Sequence, residues 1–233
     1  MKIALLGYGR MGKEIEKIAL QRGHEIVIKT NSNESLDIGL ADVAIDFSVP
    51  ASAYDNIATC LNNDIPVISG TTGWLENYEK AVDLCKEKHG AFIYASNFSL
   101  GVNIFFELNK QLAKMMDRLS DYHITMEEIH HTKKLDAPSG TAITLAEGII
   151  ANSSKSSWKL GGAISEKSIP ITAKRIEDIP GTHVVDYASD VDSISIQHIA
   201  HNRKGFAIGA IVAAEWILNK KGVFTMNDVL NIG

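Results

Sequence analysis

The sequence predicts an α/β protein in two parts: a parallel sheet with helices on both faces, and a second region built on a mixed sheet. Three observations carry this. Short, continuously apolar runs alternate with helical periods through the first hundred residues. From Tyr122 onward, strict two-residue alternation replaces those runs. Phe206 to Leu218 is apolar almost all round, which marks a buried helix.

Lys2 to Leu6 reads as the first strand. Gly12 to Gln21 follows as a helix with Ile15, Ile18 and Ala19 on one face, and Gly23 stops it. Glu25–Lys29, Asp42–Phe47, Ile65–Ser69 and Phe92–Ala95 supply four more strands. Pro50 sits where a first helical turn tolerates it and opens a helix carrying Tyr54, Ile57, Ala58 and Leu61. Leu75, Tyr78, Val82 and Cys85 mark another. In the second region Tyr122–Ile129 alternates, Thr141–Ile150 is a helix, and Asn152–Lys159 reads as a Ser-rich loop. Val184–Tyr187 and Ser193–Ile199 are further two-faced strands, whose open face meets water or a second subunit. The sequence has no internal repeat, and near Ser99 only the strand pattern changes.

Composition excludes several classes. With 233 residues, 45% hydrophobic and 22% charged, the chain is long enough to bury about 70% of its unfolded surface without disulfides or structural metal. A net charge of −5 lacks the cationic excess of a nucleic-acid binder. Cys60 and Cys85 have neither disulfide-framework nor metal-ligand spacing and read as buried thiols. His89–Phe106 lacks Asp, Glu, Lys and Arg, but Ser96, Asn97, Ser99, Gly101 and Asn103 keep it from being a membrane span. The N-terminal apolar run is too short for a signal peptide, so the expected location is cytoplasmic.

Gly7-Tyr8-Gly9-Arg10-Met11-Gly12 places G-x-G-x-x-G between a strand and a helix. Gly7 permits the turn, Gly9 lets backbone approach a pyrophosphate, Gly12 allows close packing, and the helix N-terminus offers free N–H groups. The fold class is therefore a Rossmann-like dinucleotide-binding domain with NADPH and/or NADH as cofactor. An acidic residue about 20 positions on would accept from the ribose 2′-OH. Lys29 and Thr30 stand there instead, so Lys29, with Arg10, is expected to favour a 2′-phosphate unless it is a solvated surface lysine. Phe47 ends the third strand, Gly70-Thr71-Thr72-Gly73 follows the fourth, and Ala95-Ser96-Asn97-Phe98 ends the fifth. These are strand carboxyl ends, where open α/β sheets bind ligands, and they complete the expected cofactor contacts.

The reactive segment runs Glu128-Ile129-His130-His131-Thr132-Lys133-Lys134-Leu135-Asp136-Ala137-Pro138-Ser139-Gly140-Thr141. Two histidines and two lysines precede a helix N-terminus, an arrangement that suits a small anionic substrate and proton transfer. His130, His131, His198 and His201 could converge on a metal, but H-E-x-x-H and a Cys partner are missing, so no metal is expected.

The glycine loop, Asp46-Phe47-Ser48, Gly70-Thr71-Thr72-Gly73, Ala95-Ser96-Asn97-Phe98-Ser99 and the Glu-x-His-His-x-x-Lys-x-Asp-Ala-Pro-Ser-Gly-Thr segment together resemble the dihydrodipicolinate reductase family from Lys2 to Leu230. The resemblance implies a dinucleotide domain at 1–98 and 204–233. It also implies an inserted α+β domain at 99–203 that binds substrate and forms a homotetramer. The implied reaction reduces 4-hydroxy-tetrahydrodipicolinate, a small dicarboxylate, to tetrahydrodipicolinate with NADH or NADPH in lysine and diaminopimelate biosynthesis. His130 resembles the acid/base histidine and Lys134 the proton-donating lysine. His131, Gly140 and Thr141 resemble substrate-binding residues, and Arg203 stands where the family has an arginine near the substrate. The glycine loop is one residue shorter than the commonest family form, Thr30 to Asp42 is short, and Lys29 replaces a frequent acidic residue. Closure of the two domains is expected, with Ser99 and Arg203–Lys204 as hinges. Other readings are a different small-acid dehydrogenase and a regulator that binds NADPH without turnover.

Overall fold

A computed structural model describes residues 1–31, 37–163, 165–202 and 204–232. The chain divides into two compact units, Met1–Leu100 with Lys204–Gly233, and Gly101–Arg203.

Unit 1 is a parallel six-stranded sheet flanked by helices, as the pattern of apolar runs requires. In chain order it contains β1 (Lys2–Leu6), α1 (Arg10–Gln21), β2 (Glu25–Thr30), β3 (Val43–Asp46), α2 (Pro50–Asn62), β4 (Val67–Ser69), α3 (Tyr78–Glu87) and β5 (Ala91–Tyr94). The strand order is β11-β5-β4-β3-β1-β2, where β11 is Gly222–Phe224. The two faces bury separate cores. One packs Ile15, Ile18 and Ala19 of α1 with Ala207, Ala210, Ile211, Ala214 and Ile217 of α6 (Lys204–Ile217). The other packs α2 and α3, including the free thiols Cys60 and Cys85. Helix α6 thus completes a core begun two hundred residues earlier. Arg22 clamps Glu215 of α6 with two hydrogen bonds of 2.9 and 2.7 Å.

Unit 2 is the expected mixed sheet, in the order β10-β9-β6-β8-β7. Its elements are α4 (Leu100–Met116, beginning one residue before the unit), β6 (His123–His130), α5 (Gly140–Ile150), β7 (Ser157–Leu160), β8 (Ser168–Arg175), β9 (Gly181–Ala188) and β10 (Ser193–Ala200). β6 pairs antiparallel with β9 and parallel with β8. Helices α4 and α5 bury Phe105, Ala113, Leu145 and Ile149 against Ile124, Met126, Ile171 and Val185 on one sheet face.

Five elements differ from the sequence expectation. Leu100–Met116 is a helix whose buried positions Val102, Phe105, Asn109, Ala113 and Met116 follow a helical period, but uncharged residues on its first turns blur the amphipathic signal. Ser157–Leu160 overlaps the end of the expected Ser-rich loop Asn152–Lys159. It is largely exposed and becomes a strand only by pairing with β8 at the sheet edge. β8 carries Pro170, which argues against a strand on propensity alone. β11 and α7 (Met226–Leu230) are too short to show a period.

Candidate active site

In unit 1 the glycines of the first turn act through geometry. Gly7 adopts φ +99°, and a Cβ there would lie 2.1 Å from the Phe47 carbonyl oxygen. A Cβ on Gly12 would lie 2.3 Å from the Gly7 carbonyl oxygen, so this glycine admits the helix onto the turn itself. Gly9 faces open space and caps α1 without a side-chain bond, leaving first-turn N–H groups available to an anion. Gly7, Gly9, Thr30, Asn31, Phe47, Ser48, Ser52 and Asn56 are among the residues lining a cavity of about 290 Å³ at the carboxyl ends of the strands. Its position and backbone donors fit the pyrophosphate portion of a dinucleotide.

A buried carboxylate organises the floor of this cavity. Asp46 is fully buried and accepts from Ser48 Oγ (2.6 Å), Asn56 Nδ2 (2.9 Å), Ser69 Oγ (2.7 Å) and Thr71 Oγ1 (2.7 Å). Thr71 Oγ1 also accepts the Ser48 N–H at 2.9 Å. Thr71 therefore spends its hydroxyl on the scaffold. Gly70 has a comparable function: a Cβ there would lie 2.3 Å from the Phe47 ring. Phe98 is buried with its ring 5.7 Å from that of Phe47, whereas Thr72 and Ser96 are exposed. Asn97 Oδ1 accepts the Ser99 N–H, and Ala95 N–H bonds the Ser69 carbonyl. The sequence reading missed Asn31, Ser48, Ser52 and Asn56. The N–H of Tyr8 donates to Asn31 Oδ1 at 2.6 Å, which ties the glycine loop to the end of β2.

The end of β2 carries a charge partner that lies outside its own stretch of sequence. No carboxylate follows it in sequence, but α1 delivers Glu16 there, ion-paired with Lys29 and hydrogen-bonded by the Tyr8 hydroxyl. The Tyr8 ring lies 5.3 Å from Lys29 Nζ. Hydrogen bonds from Lys29 and Tyr8 hold the Glu16 carboxyl below its usual range. The Lys29 charge is thus already matched, and a 2′-phosphate would compete with Glu16 for it. Arg10 is exposed and Met11 half-buried.

In unit 2, strand register builds the reactive cluster. Ile124, Met126, Glu128 and His130 share the buried face of β6, so an apolar stripe ends in a carboxylate and an imidazole. Register places His183 of β9 opposite Glu128, and Arg175 of β8 opposite His130. Glu128 is fully buried. Its Oε2 accepts the Ser139 N–H at 2.9 Å, and its Oε1 lies 3.2 Å from both Nη atoms of Arg175. Burial opposes ionisation of Glu128, but the Ser139 hydrogen bonds, the His130 charge and Arg175 outweigh it and hold the carboxyl low. Burial pushes the His130 imidazole down against the attraction of Glu128. Burial, with His130 nearby, pushes His183 down to about 4. His183 Nε2 lies 3.1 Å from Ser139 Oγ, and its ring centroid is 5.0 Å from that of His130. Gly181 makes room for this arrangement, since a Cβ there would lie 3.2 Å from His130 Nε2.

The loop that follows presents Lys134, whose Nζ bonds both carboxylate oxygens of Asp136 at 2.9 and 2.8 Å. Ser139 caps α5 by accepting the Ala142 N–H. Gly140 is exposed and Thr141 half-buried on the first turn, where N–H groups have no acceptor within the helix. Among the described residues, the group that could hold a metal is Glu128, His130 and His183, not the four histidines the sequence suggested. Its carboxylate already carries Arg175. His131 is half-buried with Nδ1 unbonded, and His198 packs on Phe105. Arg203 lies outside the described residues. Arg175 and His183 were missed because β8 and the start of β9 were missed.

Nucleotide-binding geometry in one unit and proton-handling side chains in the other place the chain among dinucleotide-dependent oxidoreductases. Residues 24–98 match the family described as dihydrodipicolinate reductase, N-terminus, and residues 101–230 its C-terminus. A 4-hydroxy-tetrahydrodipicolinate reductase of Christiangramia forsetii is 58% identical over 235 residues, covering 99% of this chain and 98% of the relative. One from Thermosipho africanus is 34% identical over 232 residues, with 99% and 98% covered. The solved structure of a dipicolinate-bound dihydrodipicolinate reductase from Paenisporosarcina sp. TG-14 shares the fold, with a TM-score of 0.79 at 20% identity over 97% of each chain. The chain belongs to the dihydrodipicolinate reductase family.

Proposed function

We propose that this protein reduces 4-hydroxy-tetrahydrodipicolinate to tetrahydrodipicolinate, with NADH or NADPH consumed and water released, in lysine and diaminopimelate biosynthesis. The carrying observation is 58% identity along 99% of the chain to a reductase of that name. The bound dinucleotide supplies the hydride. Gly7, Tyr8, Gly9, Arg10, Met11 and Gly12 hold its pyrophosphate. Lys29 and Thr30 lie toward the adenosine ribose, with Phe47, Gly70, Thr71, Thr72 and Ala95–Phe98 along the remainder. Asn31, Ser48 and Ser52 join this set because they line the same cavity.

In the substrate unit, the first-turn N–H groups of Gly140 and Thr141 and the His131 ring bind the two carboxylates, with Arg203 as a further cation. Lys134 donates the proton that completes reduction. Its pair with Asp136, which is 61% exposed, is worth only about 0.2–1 kcal/mol, so the ammonium leaves it readily for substrate. His130, whose imidazole burial pushes down against the attraction of Glu128, accepts or relays a proton. Ile194 and Ile199 of β10 stay exposed on the monomer at 41% and 49%. Burial of such strands between copies fits a homotetramer. Among the described residues no helix is long and apolar enough to cross a membrane, and we place the enzyme in the cytoplasm with neither membrane nor nucleic acid as partner.

The test mixes purified protein with 4-hydroxy-tetrahydrodipicolinate, generated in place by its synthase, and NADPH or NADH in parallel. Loss of the dihydronicotinamide absorbance is expected. Cofactor binding without turnover would instead support the regulator. Light scattering on a sizing column reads the oligomeric state.

A further inference from the structure

Arg175 has no role in the chemistry assigned above, yet it makes more side-chain hydrogen bonds than any residue named in the reactive loop. Nε donates to the Lys134 carbonyl (3.2 Å), Nη2 to the Asp136 carbonyl (2.7 Å), Nη1 to the Lys174 carbonyl (2.9 Å), and both Nη atoms reach Glu128 Oε1. Two of these acceptors are main-chain carbonyls on either side of Leu135, which is 96% exposed. Thr132, Lys133, Asp136 and Ala137 are exposed as well, so apolar burial does little to hold this loop. Glu128 extends the grip, because its other oxygen takes the Ser139 N–H where α5 begins. The pair therefore fastens the loop at residues 134 and 136 through the guanidinium, and at residue 139 through the carboxylate.

We propose that Arg175 is a positioning residue: by holding the Lys134 and Asp136 carbonyls and Glu128 together, it fixes the loop that presents the Lys134 ammonium. The proposal rests on the reading of Lys134 as proton donor. The planar fork of arginine is required, since its donors reach acceptors on four residues, Glu128, Lys134, Asp136 and Lys174, whereas a lysine ammonium offers three donors from a single point. Misplacement of a catalytic group by about 1 Å can cost 10²-fold in rate.

The experiment compares Arg175→Lys and Arg175→Ala with the unaltered full-length enzyme, after circular dichroism confirms folding. Arg175→Lys is expected to lower kcat about 10- to 100-fold, with KM and the NADPH dissociation constant changed less than about threefold. Millimolar methylguanidinium is expected to restore part of kcat to Arg175→Ala. Hydrogen exchange at the amides of residues 131–137 should quicken in both variants. Full kcat in Arg175→Lys, a loss carried by KM alone, or failure of both variants to fold would overturn the proposal. Should the unaltered enzyme turn nothing over, the function reading fails by itself. Loop exchange then judges the clamp, and rates unchanged in Arg175→Lys would refute it.

Discussion

Asp46 in unit 1 and Glu128 in unit 2 are both shut off from water, yet their surroundings differ in kind. Asp46 takes four hydrogen bonds from two serines, a threonine and an asparagine, all neutral. Glu128 takes one backbone N–H, faces a guanidinium and has two imidazoles within 4 Å of its Oε2. The first ties together the ends of β3 and β4 and the middle of α2, and so shapes a floor on which a cofactor can lie. The second lies among groups that gain or lose protons. A buried carboxylate satisfied by neutral donors serves as scaffold. One balanced by charge and flanked by histidines responds to pH and to substrate.

The two regions should differ most in their response to substitution at the reactive loop. Lys134→Ala should lower kcat about 10²–10⁴-fold while NADPH affinity stays nearly constant. A change confined to KM would make Lys134 a binding group and remove the contrast in function. On the scaffold side the effect should fall on stability. Asp46→Ala strands four donors, three of them on the buried residues Asn56, Ser69 and Thr71, and should cost about 3 kcal/mol or more in denaturant unfolding, with kcat of the folded fraction within a few-fold. A large kcat loss at unchanged stability would show that Asp46 acts in the chemistry.

Acid stability separates the two regions next. His183 is pushed from 6.5 to about 4 in the folded protein, so the unfolded chain binds that proton first. Stability should fall as pH drops from about 6.5 to about 4, by at most about 3 kcal/mol from this group. Glu128 adds a loss of the same sign further into acid, as pH falls through its depressed folded value. His183→Gln should flatten the upper part of this limb in melting curves. An unchanged pH slope would remove His183 from the account. The smallest effect belongs to Lys29. Because Glu16 already matches its charge, Lys29→Ala should change the NADPH-to-NADH preference by less than about threefold, the scale of an exposed ion pair. A tenfold shift would restore Lys29 as the reader of the 2′-phosphate.

Much of unit 1 was legible because its inner strands β1, β3, β4 and β5 are buried on both faces and announce themselves as apolar runs, with glycines where the turn geometry demands them. Unit 2 was legible only where one strand face meets the helices. The strand at Ser157–Leu160 exists through its neighbour, and the one holding Arg175 carries a proline that obscures it. With those strands hidden, the partners of Glu128 could not be named.

The sequence by itself determined the alternating strands and helices of unit 1 from β1 to β5, the glycine turn, and the presence of His130, Lys134 and the Ser-Gly-Thr helix start in one segment, since each depends on residues near one another in the chain. Only the tertiary structure decided that Glu16 meets Lys29, that Thr71 serves Asp46, and that His183 and Arg175 converge on Glu128. Those pairings depend on how strands align and how a helix rotates over a sheet. Side chains up to 55 residues apart in sequence become neighbours through that alignment, and no local pattern records it.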